Sequence, residues 1–398
     1  MRVGIYLGDS EPTGGGGFTF VSTVLDAFLE SASRSPHTYT IFGKPSHVRQ
    51  IAARAASVGV RAVGMRQEGF VRRISTFARH YFPAYALLGS YSLLERIARR
   101  HDIQFMWFVS GDAFDSLDIP YMATVLDIQH RTHPWFPEVS SRGRWDYRDV
   151  SFGRFLRRAS RIITGTEVGR TQLGSYYQIP PERISILPHP VPRVASEGHT
   201  EATVDARVAR LTGKTFLLYP AQFWAHKNHA TLVAALKILR EQLKQDIDLV
   251  LTGSDQGIAD FISRLVSRLG LSPHVHFLGF VSVQELAFLY RHALALAYVS
   301  WSGPENLPPL EAFSLGCPVI NADFVGAREQ LGAAALYVDP KDPRSIANAA
   351  RDLLRDSEKR ARLVELGKAR SESWTASDYV AGVLGILDEF SPIRECWE

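Results

Sequence analysis

Short apolar runs alternate along the chain with longer stretches in which apolar residues have helical spacing. In the first half, the runs that predict strands are residues 2–8, 39–42, 104–109, 123–126, 161–164 and 184–187. The stretches that predict helices between them are residues 20–30, 87–100 and 167–177. Strands that alternate with helices in this way are typical of a parallel sheet covered by helices on both faces.

The same alternation starts again in the second half. Here the predicted strands are residues 216–219, 249–252, 275–278, 294–299, 319–322 and 335–338, and the predicted helices are 228–243, 258–269, 283–292, 310–315 and 345–354. A proline-rich and then polar stretch, 188–212, separates the halves and predicts a linker. The pattern therefore predicts an α/β protein with two doubly wound, Rossmann-like domains, residues 1–192 and 193–375.

Residues 376–390 again have helical spacing. A helix that follows a complete second domain can remain on that domain or cross back to the first, and the pattern alone leaves both arrangements open.

Composition narrows the class of protein. The chain has 398 residues, of which 45% are hydrophobic and 22% charged, and these proportions exclude a long disordered chain and a collagen-like repeat. No apolar run reaches the roughly 18 residues of a spanning helix, and residues 1–7 resemble a first strand rather than a signal peptide. Cys317 and Cys396 form no Cys-x-x-Cys motif. We therefore expect a cytoplasmic protein with two reduced thiols.

The charge balance is mildly positive, with a net charge of +4. Such an excess fits anionic small ligands, a membrane surface or nucleic acid, and it does not choose among them. Residues 66–100 are rich in arginine and interleaved with aromatic residues, which predicts either a peripheral contact with an anionic membrane or an ordinary amphipathic helix with a solvated face. The clustering is too sparse for a nucleic-acid surface.

A run of four glycines, residues 14–17, follows the first strand and precedes a helix. Glycines let the backbone approach a ligand closely, and a helix N-terminus favours anions, so Gly15, Gly16 and Gly17 are candidate ligand contacts. The alternative is a plain flexible turn. The spacing is not Gly-x-Gly-x-x-Gly, and no acidic residue follows the second strand, so a dinucleotide-binding fingerprint is not supported.

Two segments of the second half could hold a phosphorylated ligand. Lys227, in YPAQFWAHKNH, follows the first strand of that half, where open α/β sheets bind ligands, and a lysine there can neutralise a diphosphate. In SGPENLPPLE, the backbone amides of Asn306 and Leu307 precede a helix and could hold phosphate oxygens. Glu311 could accept both hydrogen bonds of a sugar diol. A solvated lysine and a proline-rich helix cap are the alternatives.

In the first half, Asp127 and His130 follow an apolar strand and could contact a polar substrate or handle a proton. With His133 they are also potential metal ligands, but no fourth ligand and no strict metal motif are present, so we expect no metal. The alternative is an ordinary polar loop.

In combination, several of these segments resemble glycosyltransferase family four, the retaining transferases of GT-B fold. The stretches that carry the resemblance are YPAQFWAHKNH at 219–229, LGFV at 278–281, LPPLEA at 307–312, GCPV at 316–319, GARE at 326–329 and LYVDP at 336–340. The first half is similar more loosely, at the glycine run, at 125–133 and at 160–191.

The resemblance implies two Rossmann-like domains that face a central cleft, with a terminal helix, within residues 376–398, that returns to the N-terminal domain. It implies that the C-terminal domain binds a nucleotide-sugar donor and the N-terminal domain an acceptor, without a metal. Lys227 matches the lysine that contacts the donor diphosphate, and Glu311 matches the second glutamate of the family's Glu–seven residues–Glu motif, which holds the ribose. The amides around Glu305, Asn306 and Leu307 match those that cradle sugar and phosphate. Gln222 and Gly253 complete the predicted donor contacts.

The chain departs from the family pattern at three positions. Gly303 stands where the motif has its first glutamate, and Gln222 stands where many members have an arginine. Leu126 stands where many members have a histidine before the aspartate. We expect Glu305 to replace part of the lost carboxylate, His130 to substitute for the histidine, and Lys227 to be the main cation at the diphosphate.

The sequence therefore predicts a retaining glycosyltransferase of polysaccharide biosynthesis. It would transfer a hexosyl or deoxyhexosyl unit from a nucleoside diphosphate sugar to a hydroxyl of a polysaccharide or glycolipid, without a cofactor. The donor can carry UDP, GDP or dTDP. The expected location is the cytoplasm, with peripheral contact to the inner face of the membrane. The alternatives are a GT-B-shaped epimerase or phosphorylase, and a catalytically disabled partner protein that binds sugar nucleotides.

Overall fold

A computed structural model describes residues 1–8, 15–65, 92–111, 115, 117–192 and 204–397. Gly14, most of the arginine-rich stretch and part of the predicted linker lie outside the described residues. The chain divides into two compact units. The first comprises Met1–Pro134, Val139–Pro190 and Ala376–Glu398, and the second comprises Trp135–Glu138 and Val191–Thr375.

The first unit contains a seven-stranded parallel sheet with the order β3-β2-β1-β4-β5-β6-β7. Its strands are β1 Arg2–Tyr6, β2 Thr38–Gly43, β3 Arg61–Gly64, β4 Phe105–Phe108, β5 Tyr121–Thr124, β6 Arg161–Thr164 and β7 Ile184–Ile186. Its α-helices are Gly16–Ser31, Pro45–Ser57, Leu93–Arg100, Gln129–Thr132, Arg144–Arg158, Glu167–Tyr177 and Ala376–Glu395. The short helix Pro137–Ser140 begins in the second unit and ends in the first. The central strands β1 and β4 are almost wholly apolar and buried, as expected for a parallel sheet covered on both faces.

The second unit contains a six-stranded parallel sheet with the order β10-β9-β8-β11-β12-β13. Its strands are β8 Phe216–Pro220, β9 Asp248–Thr252, β10 Val275–Gly279, β11 Ala295–Tyr298, β12 Val319–Ala322 and β13 Ala335–Val338. Its α-helices are Ala206–Ala209, His229–Lys237, Ala259–Arg268, Val283–His292, Leu307–Ser314, Ala327–Leu331, Pro343–Arg355 and Ser357–Glu372. Ser282 and Glu285 form a capping box at the start of the helix Val283–His292.

In both sheets the strand order reverses beside the first strand of the unit, between β1 and β4 and between β8 and β11. Ligands of open α/β sheets bind outside the carboxyl ends of the strands at such a reversal. In the second unit, a ligand is therefore expected at the chain segments that follow β8 and β11.

The helix Ala376–Glu395 packs on the first unit, and this resolves the two arrangements that the sequence left open. Tyr379 is fully buried and meets the ring of Phe20 edge-on, with 5.6 Å between ring centroids. Phe390 packs against Phe105 at 4.8 Å, and His37 lies 3.0 Å from the Asp388 carboxylate. The predicted fold class, two doubly wound α/β domains with a terminal helix that returns to the first, is confirmed.

Within the described residues, no helix is both long enough and apolar enough to cross a membrane.

Candidate active site

A tightly held turn carries Lys227 at the carboxyl end of β8. Residues Ala225–Lys227 form a single 3-10 turn, and Asn228 then adopts a left-handed conformation, with φ 59°, before the helix His229–Lys237 begins. The Asn228 side chain donates hydrogen bonds to the carbonyls of Val299, at 3.1 Å, and Pro340, at 2.8 Å. The hydroxyl of Tyr219 donates to the Lys227 carbonyl at 2.6 Å. The backbone under Lys227 is thus fixed by three neighbouring segments.

The side chain of Lys227 belongs to a short chain of hydrogen bonds. Its Nζ donates to the hydroxyl of Tyr298 at 2.8 Å, and that hydroxyl donates to Asn306 Oδ1 at 2.7 Å. The structure therefore brings together Lys227 and Asn306, which the sequence placed in separate motifs. Tyr298 was missed by the sequence analysis, although its position at the end of a predicted strand was a usable signal.

The segment before the helix Leu307–Ser314 differs from its prediction in one respect. The Asn306 amide is not free for a phosphate, because it donates to Gln330 Oε1 at 3.0 Å, and Gln330 Nε2 donates back to the Asn306 carbonyl at 2.9 Å. The expectation of two free amides is therefore wrong for Asn306. Leu307, the first residue of the helix, stays a predicted phosphate contact. Gln330 carries no motif that would have identified it from sequence.

The backbone at Gly303, where the family has its first glutamate, leaves little room for a side chain. Gly303 has φ 122°, and a Cβ there would lie 2.7 Å from Asn306 Oδ1, so any side chain would be strained and crowded. The carboxylate of Glu305, two residues later, is largely buried, with 8% of the residue exposed. Glu305 stays a predicted substitute for that glutamate.

Glu311 lies on the buried side of the helix Leu307–Ser314. Its Oε2 accepts a hydrogen bond from the hydroxyl of Tyr290 at 2.8 Å. Burial raises the pKa of this carboxyl above its usual value, although the Tyr290 hydrogen bond opposes the shift. Tyr290 thus orients the carboxylate that the sequence assigned to the ribose, and that assignment stays a prediction.

Gln222 and Gly253 lie side by side after β8 and β9. Gly253 has φ 128°, and a Cβ there would lie 2.6 Å from the Ala221 carbonyl oxygen, so only glycine fits this close approach of two backbones. The amide of Gln222 is engaged at both ends, because it donates to Ser254 Oγ and accepts from Trp224 Nε1, each at 3.0 Å. Gln222 supplies no charge, and Lys227 stays the predicted main cation of this region.

In the first unit, the two predicted catalytic residues have different surroundings. Asp127 is half-buried, accepts a hydrogen bond from the Gln129 amide at 2.8 Å and lies 3.4 Å from the Arg148 guanidinium. His130 is completely buried, and its Nε2 lies 2.7 Å from the hydroxyl of Tyr177. Burial, reinforced by the charge of Arg148, lowers the pKa of His130 to about 4, so its ring is neutral at pH 7.

This geometry favours a structural role for His130. The Tyr177 hydroxyl donates to Asp149 at 3.1 Å, and the Asp149 carboxylate also accepts hydrogen bonds from Nε and Nη2 of Arg131. The ring is therefore part of an internal polar network. It is not exposed for the substrate contact or proton transfer that the sequence predicted. Among the described residues, no group of three histidine, cysteine or acidic side chains is arranged to hold a metal.

The glycine run begins the helix Gly16–Ser31. Gly15, directly before it, has φ 75° and ψ −150°, a conformation that favours glycine. Gly16 and Gly17 are exposed, and open space lies where their side chains would be. The N-terminus of this helix is therefore accessible, and its role as a ligand contact stays a prediction.

Comparisons with known proteins agree with this geometry. Residues 202–370 match the family model for glycosyl transferases group 1. The chain is 26% identical over 245 residues to O-antigen chain mannosyltransferase B of Escherichia coli, covering 60% of this chain and 63% of the relative. It is 27% identical over 254 residues to D-inositol 3-phosphate glycosyltransferase of Paenarthrobacter aurescens, covering 60% of this chain and 62% of the relative. The chain thus spans just under two thirds of the length of these relatives.

Solved structures show the same fold. WaaG, a glycosyltransferase involved in lipopolysaccharide biosynthesis, superposes with a TM-score of 0.69 at 16% identity, over 96% of this chain and 99% of that one. Anabaena Alr3699/HepE, in complex with UDP and glucose, also gives 0.69 at 16% identity, over 98% of this chain and 100% of the other. The second unit carries the match to the group 1 glycosyltransferases, and the chain is similar to these transferases and to family four and has the GT-B fold.

Proposed function

We propose that this chain transfers a hexosyl or deoxyhexosyl unit from a nucleoside diphosphate sugar to a hydroxyl of a polysaccharide or glycolipid, with retention of the anomeric configuration. The observation that carries the proposal is the setting of Lys227. Its ammonium lies at the strand reversal of the second unit, and its polar partner among the described residues is the neutral hydroxyl of Tyr298. That charge is available to a diphosphate.

The proposed chemistry is mainly electrostatic. The bond between the sugar's anomeric carbon and the diphosphate oxygen breaks in this reaction. The departing diphosphate then gains negative charge, which Lys227 stabilises as a fixed cation. The N-terminus of the helix Leu307–Ser314, with the Leu307 amide, adds a partial positive charge. The buried carboxylate of Glu311 would accept the ribose hydroxyls. We assign no cofactor and no metal to the reaction.

Acceptor binding is proposed for Asp127 in the first unit. Asp127 is half-buried at a strand end and retains an accessible carboxylate, so it can orient a hydroxyl. His130 is not carried into this proposal, because its ring is enclosed by the protein. The O-antigen mannosyltransferases among the relatives favour a mannosyl unit within the hexosyl class. The family match does not favour the epimerase or phosphorylase alternative.

The test is calorimetric titration with UDP, GDP, dTDP and ADP, followed by an assay with the sugar nucleotide of the base that binds. We expect one diphosphate to bind, and we expect Lys227→Ala to weaken that binding about 10- to 100-fold, as for loss of a charge-assisted hydrogen bond. Glu311→Ala should weaken it as well. Lys359→Ala, at a lysine that is half-buried like Lys227 but lies on the helix Ser357–Glu372, is the matched control and should bind normally.

The product then tests the reaction. A new glycosidic bond with the donor's anomeric configuration is expected, and an inverted product would contradict retention. Binding without turnover on any saccharide acceptor would instead support a disabled sugar-nucleotide-binding protein. No binding of any of the four diphosphates would overturn the proposal.

A further inference from the structure

A buried carboxylate holds the residue next to Lys227. Glu138 is in the segment Trp135–Glu138, which belongs to the second unit. Its Oε1 accepts a hydrogen bond from the backbone amide of His226 at 3.0 Å and a second, short one with Nδ1 of the same residue. Only 7% of the Glu138 side chain and 12% of the His226 side chain are exposed. One carboxylate oxygen therefore fixes both the backbone and the ring of His226.

The pair is well enclosed, and its carboxyl is ionised. The Phe136 ring packs edge-on against the His226 ring, with 6.1 Å between centroids. Burial alone would raise the pKa of Glu138, but the hydrogen bonds from His226 lower it below its usual value. The carboxyl is therefore ionised at neutral pH, and hydrogen bonds to an ionised acceptor are stronger than neutral ones.

The other side of the turn is held by the segment after β11. The His226 carbonyl accepts hydrogen bonds from the Trp301 amide at 2.8 Å and from Ser300 Oγ at 3.3 Å. His226 is thus clamped through its amide, its ring and its carbonyl. Without the Glu138 carboxylate, two donors would lose their acceptor in a place with little access to water, and the turn would have to shift to satisfy them.

We propose that Glu138 positions Lys227 for a diphosphate by holding the His226 backbone and ring, so that Glu138 is a positioning residue of the donor site. The step from His226 to Lys227 is one peptide bond within the turn Ala225–Lys227, so a shift at His226 displaces Lys227 Nζ from the Tyr298 hydroxyl. The inference rests on the proposed function for its ligand, but its geometric core, the placement of Lys227, does not need a ligand.

The first experiment measures that placement without a ligand. Wild type, Glu138→Ala and Glu138→Gln are labelled with an amine-reactive reagent, and the rate at Lys227 is followed by peptide mass spectrometry. We expect Lys227 to be labelled severalfold faster in Glu138→Ala. Glu138→Gln keeps an acceptor oxygen and should remain within about twofold of wild type. The exposed Glu365→Ala is the control and should not change the rate.

The second experiment is a double-mutant cycle on nucleotide affinity, with the diphosphate that binds best among UDP, GDP, dTDP and ADP. Glu138→Ala should weaken binding about tenfold in the wild-type background and leave it unchanged in Lys227→Ala, because neighbours that act through one group are not additive. Equal losses in both backgrounds would overturn the positioning role.

Further outcomes separate the inference from the proposed function. An unchanged labelling rate of Lys227 in Glu138→Ala overturns the inference, whatever the nucleotide result. Failure of wild type to bind any diphosphate overturns the proposed function, while the labelling rate still decides where Glu138 acts. If Glu138→Ala unfolds at the assay temperature, Glu138→Asp, which keeps the charge on a shorter side chain, should show an intermediate labelling rate.

Discussion

The polar residues at the strand ends of the two units are used in different ways. In the second unit, Lys227 is half-buried at the carboxyl end of β8, and its ammonium reaches only a neutral hydroxyl among the described residues. In the first unit, His130 follows β5 but is fully buried, and its ring joins a network of Tyr177, Asp149 and Arg131. A polar residue after a strand is therefore a candidate ligand contact only where its charge remains uncompensated and reachable.

The largest loss of stability, and the strongest test of this comparison, is expected from His130→Ala. The substitution removes a ring that is packed against Phe152, at 5.1 Å between centroids, and leaves the Tyr177 hydroxyl without its nitrogen partner. We expect a loss of about 3 kcal/mol in the free energy of unfolding, measured by denaturant titration. Lys227→Ala serves as the matched variant and should lose less than about 1 kcal/mol. Comparable losses for the two variants would remove the distinction between a structural and a ligand-binding residue.

A pH titration of stability sharpens the same comparison. The pKa of His130 is lowered to about 4 in the folded protein by burial, against about 6.5 in an unfolded chain. Between these values the unfolded state binds more protons, so the contribution of His130 is complete above about pH 6.5 and is lost as the pH falls towards 4. The expected loss from this residue between pH 7 and pH 5 is about 2 kcal/mol.

The control for this titration is His130→Gln, which cannot titrate in that range. The difference in unfolding free energy between pH 7 and pH 5 should be smaller in this variant than in wild type. Buried His189 and His229, whose pKa values are also lowered by burial, to about 4 and about 3, contribute to the dependence that remains. An unchanged dependence in His130→Gln would show that folding does not lower the pKa of this ring.

The smallest effect on stability is expected from Asp127→Asn. Asp127 and Arg148 are both half-buried and their ion pair is long, at 3.4 Å, so the unfolding free energy should change by less than about 1 kcal/mol. If Asp127 orients the acceptor, the variant should lose turnover while its affinity for the nucleoside diphosphate stays the same. Normal turnover with the saccharide acceptor would exclude Asp127 from the acceptor site.

Sequence patterns predicted most of the sheets because buried parallel strands are short, apolar and bounded by polar or glycine residues. The missed strand, β3 Arg61–Gly64, lies at the edge of its sheet and has no fully buried residue, so its apolar signal is weak. The sequence pattern did not decide where the terminal helix packs, because its apolar face fits either domain. Only the contacts of Tyr379 and Phe390 with the first unit decide it.

Candidate site residues could be predicted where they stand in one recognisable segment. They could not be predicted where they depend on partners from distant segments. Lys227 and Glu311 stand in motifs that a sequence displays directly. Hydrogen bonds to residues distant in sequence determine the roles of Tyr298, Gln330 and Glu138. Their local sequence does not indicate those partners. His130 was misplaced for the same reason, since the Tyr177 hydroxyl that makes its burial tolerable comes from a helix far along the chain.

The return of the helix Ala376–Glu395 to the first unit has a consequence for synthesis on the ribosome. The strands of the first unit are translated early, but the helix that covers Phe20 is translated only after the whole second sheet. The second unit has nearly all of its segments contiguous and can close while the first still exposes an apolar helix face. The order of completion is therefore the reverse of the order of translation, and the nascent first unit is the part of the chain that chaperones have most reason to hold.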